Sequence, residues 1–265
     1  MALTKNKLKE LRELTHKKYR DEHRKFIVEG TRLVQESVNS DFKILEAFYT
    51  TDLADSATGK MLIQSLKKKT SQVTEISPRE MEVLSETVTF QGILAVVREK
   101  QFSVDSVIKK SATQSIVVAL DAVSDPGNLG SVVRTCDWFG VNGILLGRNS
   151  VELYNPKVLR ATMGGIFHLP IVSGVDLLST ISQAKGLGYR IYVTDPKGET
   201  HFDRVKCENK SLIVFGNEAW GVSDQLKSLA DVRITIRRYG AGESLNVGVA
   251  CGVVLSTLHR LSYDD

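Results

Sequence analysis

Asp125-Pro-Gly-Asn-Leu-Gly-Ser-Val-Val-Arg134-Thr-Cys-Asp-Trp-Phe-Gly140 follows directly on the short apolar run Ile116–Leu120. An apolar run of that length, closed by a polar turn with glycines, reads as a buried strand. The residues from Leu129 to Phe139 can then wind into a helix, with Gly127 and Gly130 in the turn before and at its start. Strand, glycine-bearing turn and helix start are the parts of an anion site. The first backbone N–H groups of a helix lack intrahelical partners, and glycine lets a ligand come close. Arg134 adds a permanent cation that can hold a phosphate through two hydrogen bonds. By itself the motif also fits a purely structural strand–helix turn.

Two later stretches repeat the pattern. Ser211-Leu-Ile-Val-Phe-Gly216-Asn217-Glu218-Ala-Trp-Gly221-Val-Ser223 is an apolar run entering a polar, glycine-bounded turn. Ile234-Thr-Ile236-Arg-Arg-Tyr-Gly240-Ala-Gly242-Glu243-Ser244-Leu245-Asn246-Val247 is another, leading into a helix. All three polar clusters sit at the carboxyl ends of apolar strands, where open α/β sheets bind ligands. The strands of this half read as Ile116–Leu120, Ile144–Leu146, Arg190–Thr194, Leu212–Phe215 and Val232–Ile236. Helices are predicted between them, including Asn155–Gly164, Leu177–Lys185 and Val247–Leu261. Such alternation predicts an α/β fold with a mostly parallel sheet.

Three ordered motifs carrying Arg134, Asn217-Glu218 and Ser244-Leu245-Asn246 resemble the signatures of the SpoU (TrmH-type) branch of the SPOUT RNA 2′-O-ribose methyltransferases, over about residues 115–260. The resemblance implies a deep trefoil knot at the C-terminal end, which connection rules alone would not predict. It implies S-adenosyl-L-methionine as cofactor, with Gly216, Asn217, Ile236 and Leu245 on the cofactor side. For the side chains of Ile236 and Leu245, core packing is the simpler expectation. Arg134, Asn128, Glu218, Ser244 and Asn246 fall on the family's catalytic side. Glu218 or Asn217 is expected to orient Arg134 or the ribose. Asn246 and Ser244 each also fit a plain helix N-cap. One departure is local: the family opens its third motif Ile-Pro-Met, and here Ile236-Arg237-Arg238 stands in its place.

The first hundred residues read as a separate small α/β unit. Leu8, Leu11 and Leu14 mark a helix face, Phe26-Ile-Val-Glu-Gly a strand and turn, and Ser77-Pro78-Arg79-Glu80 a capping box. With Gln91-Gly92-Ile-Leu-Ala-Val, these resemble the ribosomal-protein-like substrate-binding domain often joined to SpoU enzymes. The polar stretch Lys100–Gln114 is read as a linker. It gives an RNA-binding domain at 1–105 and a methyltransferase domain at 112–265, and a cut at 105 is expected to leave a folded core. Residues 1–32 hold ten Lys and Arg against five Asp and Glu. Lys17, Lys18, Arg20, Arg24 and Lys25, with Arg160 later in the chain, are the candidate RNA-phosphate contacts, although charge alone fits a solvated face equally well.

Other classes fit less well. No apolar run reaches the roughly 20 residues of a membrane span. The opening residues lack a signal-peptide core, and Cys136, Cys207 and Cys251 are odd in number without a C-x-x-C, so a cytoplasmic chain with reduced thiols is expected. The five histidines show no metal-ligand spacing, and no metal is expected. The glycines do not match the dinucleotide fingerprint of an oxidoreductase. The resemblance implies RNA as the partner, and that of the first hundred residues implies large-subunit rRNA ahead of tRNA. A catalytically silent RNA-binding protein of the same fold is the remaining alternative. The last helix is apolar on more than one side, which implies a homodimer, with Leu258 as a position where a charge would weaken association.

Overall fold

The computed structural model describes residues 3–109, 114–198, 200–205 and 208–263. In chain order the elements are α1 (Lys5–Glu13), α2 (Lys17–His23), β1 (Lys25–Glu29), α3 (Thr31–Asn39), β2 (Ile44–Tyr49), α4 (Thr51–Asp55), α5 (Ala57–Lys69), β3 (Val73–Glu75), α6 (Pro78–Leu84) and β4 (Ile93–Arg98). Then come α7 (Val104–Ile108), β5 (Ser115–Leu120), α8 (Pro126–Trp138), β6 (Gly143–Gly147), α9 (Pro156–Thr162), β7 (Ile171–Val175), α10 (Leu177–Gly186) and β8 (Arg190–Thr194). The chain ends with β9 (Thr200–His201), β10 (Lys210–Phe215), α11 (Asp224–Lys227), β11 (Val232–Thr235) and α12 (Val247–Tyr263). Two compact units result: residues 1–100 with 154–167, and residues 101–153 with 168–265.

The first unit has a four-stranded sheet in the order β1-β4-β2-β3. Its central strand β4 buries Ile93 through Val97, so both faces are covered. Leu11 and Leu14 of the first helical segment pack with Phe48, Met81, Leu84, Leu94 and Val96. The capping box forms as its sequence requires: the Ser77 hydroxyl accepts from the Glu80 N–H, and the Glu80 carboxylate accepts from the Ser77 N–H.

The segment 154–167 belongs with this unit, though it lies far along the chain. Tyr154 stacks on Phe26 with ring centroids 4.3 Å apart, and Phe167 meets Phe42 edge-on at 5.1 Å. The Arg32 Nε donates to the Met163 carbonyl at 3.2 Å. A cut at residue 105 would uncover Leu159 and Phe167, each losing about 1.5–3 kcal/mol of burial.

The basic stretch is mostly compensated within the unit. Lys17 pairs with Asp21, Arg24 with Glu99 at 3.5 Å, and Lys25 with Glu10 at 2.6 Å. Lys18 lies exposed over the Tyr19 ring. Arg20 is a correction. It is only 2 % exposed, and its guanidinium donates to the carbonyls of Leu14 and Thr15 at 2.8 and 2.7 Å. Those carbonyls lie in the break between α1 and α2, where helical hydrogen bonding lapses, so a buried cation there satisfies acceptors instead of meeting phosphate.

The second unit holds a seven-stranded sheet in the order β7-β6-β5-β10-β8-β11-β9, with every pairing parallel. Parallel strands are covered on both faces and therefore read as unbroken apolar runs. Gly143–Gly147 and Ser211–Phe215 are buried throughout. Lys100–Gln114 is not a plain linker. It contains α7, whose Val107 and Ile108 are buried with Val117, Leu145 and Ile191. Cys136 and Cys251 are buried free thiols, while Cys207 lies outside the described residues. Burial, then hydrogen bonding with Cys251, pushes the Cys136 thiol up, which keeps it protonated and unreactive. Among the described residues no helix is long and apolar enough to cross a membrane.

Arg20→Ala should strand two carbonyls and lower the stability of the first unit by about 2–4 kcal/mol. Lys18→Ala should change it by less than about 0.5 kcal/mol. Urea unfolding of both variants, followed in far-ultraviolet circular dichroism, separates the two roles. Equal effects would return Arg20 to the surface group.

Candidate active site

The order of the large sheet reverses between β5 and β10. From β5 the chain runs outward through β6 to β7, whereas β8 and β11 lie on the other side. Such a reversal opens a crevice at the carboxyl ends of the strands. The turns after β5 and β10 meet there, and the run after β11 joins them through its last residue.

Helix α8 begins at Pro126, three residues before the sequence reading placed it. Asp125 caps it by accepting the Asn128 N–H at 2.8 Å, with proline at the first helical position. Gly127 and Gly130 therefore lie inside the helix. The N-terminus is not the open anion site that the sequence suggested. The Glu218 carboxylate fills it, accepting the N–H groups of Ser124 and Asp125 at 3.3 Å, with the Ser124 hydroxyl also at 3.3 Å. The protein supplies its own anion to the positive end of the helix.

Asn128 connects all three polar runs. Its Nδ2 donates to Glu218 Oε1 at 2.8 Å, and its Oδ1 accepts Asn246 Nδ2 at 2.8 Å. The other end of Asn246 caps α12, its Oδ1 accepting Gly248 N–H at 2.9 Å and Val249 N–H at 3.3 Å. Asn246 thus serves both as helix cap and as a member of the network. Ser244 is exposed on the preceding run and does not cap the helix.

Burial acts to raise the Glu218 carboxyl. Hydrogen bonds from Asn128, from its own backbone, and from Ser124 and Asp125 outweigh it, so the group sits below the usual glutamate value. A carboxylate with four donors on its two oxygens and a lowered pKa is a weak proton acceptor. Its chemistry is positional.

Asn217 is a brace. Its Nδ2 donates to the Ala122 carbonyl at 2.7 Å and its Oδ1 accepts the Ala219 N–H at 2.8 Å, leaving it buried. Ala122 is held at a φ of 55°, a left-handed conformation uncommon for a residue with a Cβ, and this aims its carbonyl at Asn217. Asp121 adds a second tie by accepting the Ser223 N–H at 2.9 Å. A Cβ on Gly216 would lie 2.1 Å from the Gly221 carbonyl carbon, so the glycine is demanded by its own turn.

Ile236 is only part-buried and Leu245 is exposed, contrary to the expectation of core packing. Asp121, Ser124 and Asp125 were not singled out from the sequence. For Asp125 a signal existed, since Asp-Pro ahead of an apolar run is a helix-start signature.

Arg134 is not brought to this network. It is exposed six residues beyond Asn128 on α8, which is about 9 Å along the axis and on another face. No side chain among the described residues engages its guanidinium. Neither Glu218 nor Asn217 orients it. Its neighbours on the same helix face are Ser131 and Trp138, the latter 85 % exposed. α12 packs on α8 through small residues: a Cβ on Gly248 would come 3.0 Å from Ser131 Cβ, and one on Gly252 3.8 Å from the Thr135 methyl. The outer side of α12 presents Val249 and Val253 to solvent. Leu258 is only 1 % exposed within its own chain, so a charge there would disrupt the core before it tested an interface. Arg160, on α9 in the first unit, is part-buried beside Arg20, Glu29 and Glu86 around a small cleft. Among the described residues no cluster of His, Cys, Asp or Glu is arranged to hold a metal ion.

The model of the SpoU rRNA Methylase family matches residues 115–256, and that of an MRM3-like substrate binding domain matches residues 5–95. The chain is similar to the 23S rRNA (guanosine(2553)-2'-O)-methyltransferase RlmP of Bacillus subtilis (strain 168), at 30% identity over 252 residues that span 94% of each chain. Among solved structures it is similar to an rRNA methyltransferase from Sinorhizobium meliloti, with a TM-score of 0.85 and 26% identity over 98% of this chain and 96% of the other. It shares its fold with the SpoU methyltransferase AviRb from Streptomyces viridochromogenes, solved in complex with AdoMet, at a TM-score of 0.88 and 22% identity over 98% of both chains. The methylase match covers the three linked turns, all of α8 and the first part of α12, and the chain belongs to the SpoU rRNA methylase family.

Proposed function

We propose that this RNA methyltransferase transfers the methyl group of S-adenosylmethionine to a ribose 2′-hydroxyl, with large-subunit ribosomal RNA as substrate. The observation that carries the reading is the chain of hydrogen bonds Asn246–Asn128–Glu218, which locks three turns at the carboxyl ends of parallel strands. The similarity to a 23S rRNA methyltransferase supports the substrate class. A cytoplasmic location accords with it.

The cofactor site fits the chain's own residues. Part-buried Ile236 and exposed Leu245 offer an apolar wall for adenine, and the turn at Gly216 offers backbone groups for its edge and for ribose. When bound, S-adenosylmethionine supplies an electrophilic methyl carbon on a sulfonium, so the chain's work is placement. Arg134 holds the phosphate beside the target ribose and stabilises the developing alkoxide. Guanidinium has no free acceptor and does not act as a base. Ser244, on the exposed run, hydrogen-bonds the ribose. Lys17, Lys18, Arg24 and Arg160 serve the RNA backbone, with Lys25 and Arg20 holding their own fold. On the same reading, residues 236–247 belong to the part that threads the trefoil knot. The first hundred residues are the substrate-binding domain.

The active unit is a homodimer formed through the outer face of α8 and α12. Trp138 on α8 and Val249 and Val253 on α12, the helix packed against it, are large apolar side chains left exposed, and Arg134 is exposed on α8 with Trp138. Soluble monomers seldom leave such a surface open, and a two-fold axis covers it twice. The separation of Arg134 from Asn246 in one chain then becomes an arrangement across two.

Arg134→Ala should lower methyl transfer by roughly 10²-fold or more while leaving S-adenosylmethionine affinity nearly unchanged. Arg134→Lys should fail too, since ammonium cannot reproduce the bidentate fork. Tritium transfer to ribosomal RNA and isothermal titration with the cofactor check both, and near-normal turnover in either variant would remove the role.

Trp138→Asp or Val249→Asp should give monomers by analytical ultracentrifugation and cost activity. Mixing Arg134→Ala with Asn246→Ala chains should rebuild one whole site in each mixed dimer. A fully active wild-type monomer, or mixed dimers that stay dead, would refute the shared site.

The Glu218 carboxyl is held below the ordinary glutamate value. Its contribution is therefore complete above that pH and is lost as pH falls through the lowered value. Asn128→Ala removes one of the donors and should move this acid limb upward. Carboxyl-resolved NMR titration reads the midpoint, and an unchanged midpoint would mean that Asn128 does not hold the charge.

A further inference from the structure

The proposed chemistry makes no use of two large aromatic side chains at the same edge of the sheet. Trp220, in the turn between Gly216 and Val222, is 68 % exposed, and Tyr239, on the run after β11, is 87 % exposed. Neither packs in a core. In sheet order β10 and β11 are separated only by β8, so the two turns leave one edge about 10 Å apart. Glu218, two residues before Trp220, is fixed by Asn128, and Asn246, seven residues after Tyr239, is fixed by the same side chain. Trp220 thus lies two residues from a fixed point of the network, and Tyr239 lies on the run that Asn246 closes.

The run that carries Tyr239 is locally basic, with two arginines before it and one carboxylate, Glu243, after it. Arg237 and Arg238 are exposed beside Tyr239, and Arg238 donates to the Gly242 carbonyl at 3.2 Å, bracing its own run. Nothing lies within 4 Å of where a Cβ would stand on Gly240 or Gly242, so the surface above them is open. Two exposed π-faces at one sheet edge, with guanidinium groups beside one of them, suit a ligand with flat rings on an anionic backbone. A continuous duplex hides its base faces in the stack, whereas unpaired nucleotides present them.

We infer that Trp220 and Tyr239, with Arg237 and Arg238 on the flanking phosphates, form a stacking platform for unpaired nucleobases next to the methylated ribose. The substrate is then engaged in a loop or single-stranded segment. This rests on the RNA-methylation reading and adds the form of the RNA.

The test uses the full-length protein and a short single-stranded RNA of mixed sequence, compared with the same strand annealed to its complement. Wild type should prefer the single strand. Trp220→Ala and Tyr239→Ala should each weaken single-strand binding on the order of tenfold, and leave duplex binding and the salt dependence unchanged. Trp220→Phe should retain most of the affinity. Arg237→Ala and Arg238→Ala should each lower the slope of log affinity against log salt by about 0.7. In a Trp138→Phe background Trp220 is the sole tryptophan, and single-stranded RNA should quench its emission. Unchanged single-strand affinity in both alanine variants, or no quenching, overturns the platform. So does a shift in oligomeric state without a change in RNA affinity, which would make the aromatics a contact between copies. The cofactor titration keeps the readings apart. A wild type that binds no S-adenosylmethionine sinks the methyltransferase reading, whereas cofactor-competent variants with intact RNA affinity sink only the platform.

Discussion

One side-chain amide holds the site together. Asn128 donates to Glu218 and accepts from Asn246, so a single residue spans the turns that follow three different strands. Strand ends in a parallel sheet lie about 4.8 Å apart per step, and the runs leaving them have no ladder to fix their mutual positions. Without this link each turn would settle by its own local preferences. The remaining ties, Asn217 to Ala122 and Ser223 to Asp121, hold two of the turns in the same sense. Preorganised dipoles act strongly when they need not reorganise during reaction, and this framework fixes them beforehand.

Much of the fold was legible because local signals agreed with the final packing. The apolar runs at 116–120, 190–194 and 212–215 became strands, and the Ser77–Glu80 capping box formed as its pattern demands. The failures came where a distant partner decided the outcome. Nothing local marks Arg20 as buried, because its carbonyl partners are exposed to view only once α1 ends beside α2. Lys100–Gln114 looks polar, yet Val107 and Ile108 are enough to anchor a short helix in the core. The three motifs were visible, but the direction of Glu218 was not. A carboxylate near an arginine in sequence logic turned instead to backbone N–H groups about 90 residues upstream.

The α8–α12 pair shows how a small-residue stripe serves a distant purpose. Gly248 and Gly252 let α12 settle against Ser131 and Thr135, which brings the start of α12 close enough for Asn246 to reach Asn128. The larger residues of both helices are then divided. Cys136, Cys251, Val254 and Leu255 go inward, while Trp138, Val249 and Val253 are left outside. Close packing on one side thus leaves large apolar side chains exposed on the other.

The placement of residues 154–167 bears on how the polypeptide is made. Phe26 and Phe42 find their aromatic partners, among the described residues, in Tyr154 and Phe167, well over a hundred residues later. At roughly 5–20 residues per second, a ribosome takes several seconds to extend the chain from residue 100 to residue 167. Throughout that interval the first sheet has been synthesised but one apolar flank of it is bare. The nascent N-terminal unit must therefore wait in a partly closed form, exposed to chaperones, until the middle of the chain emerges to finish it.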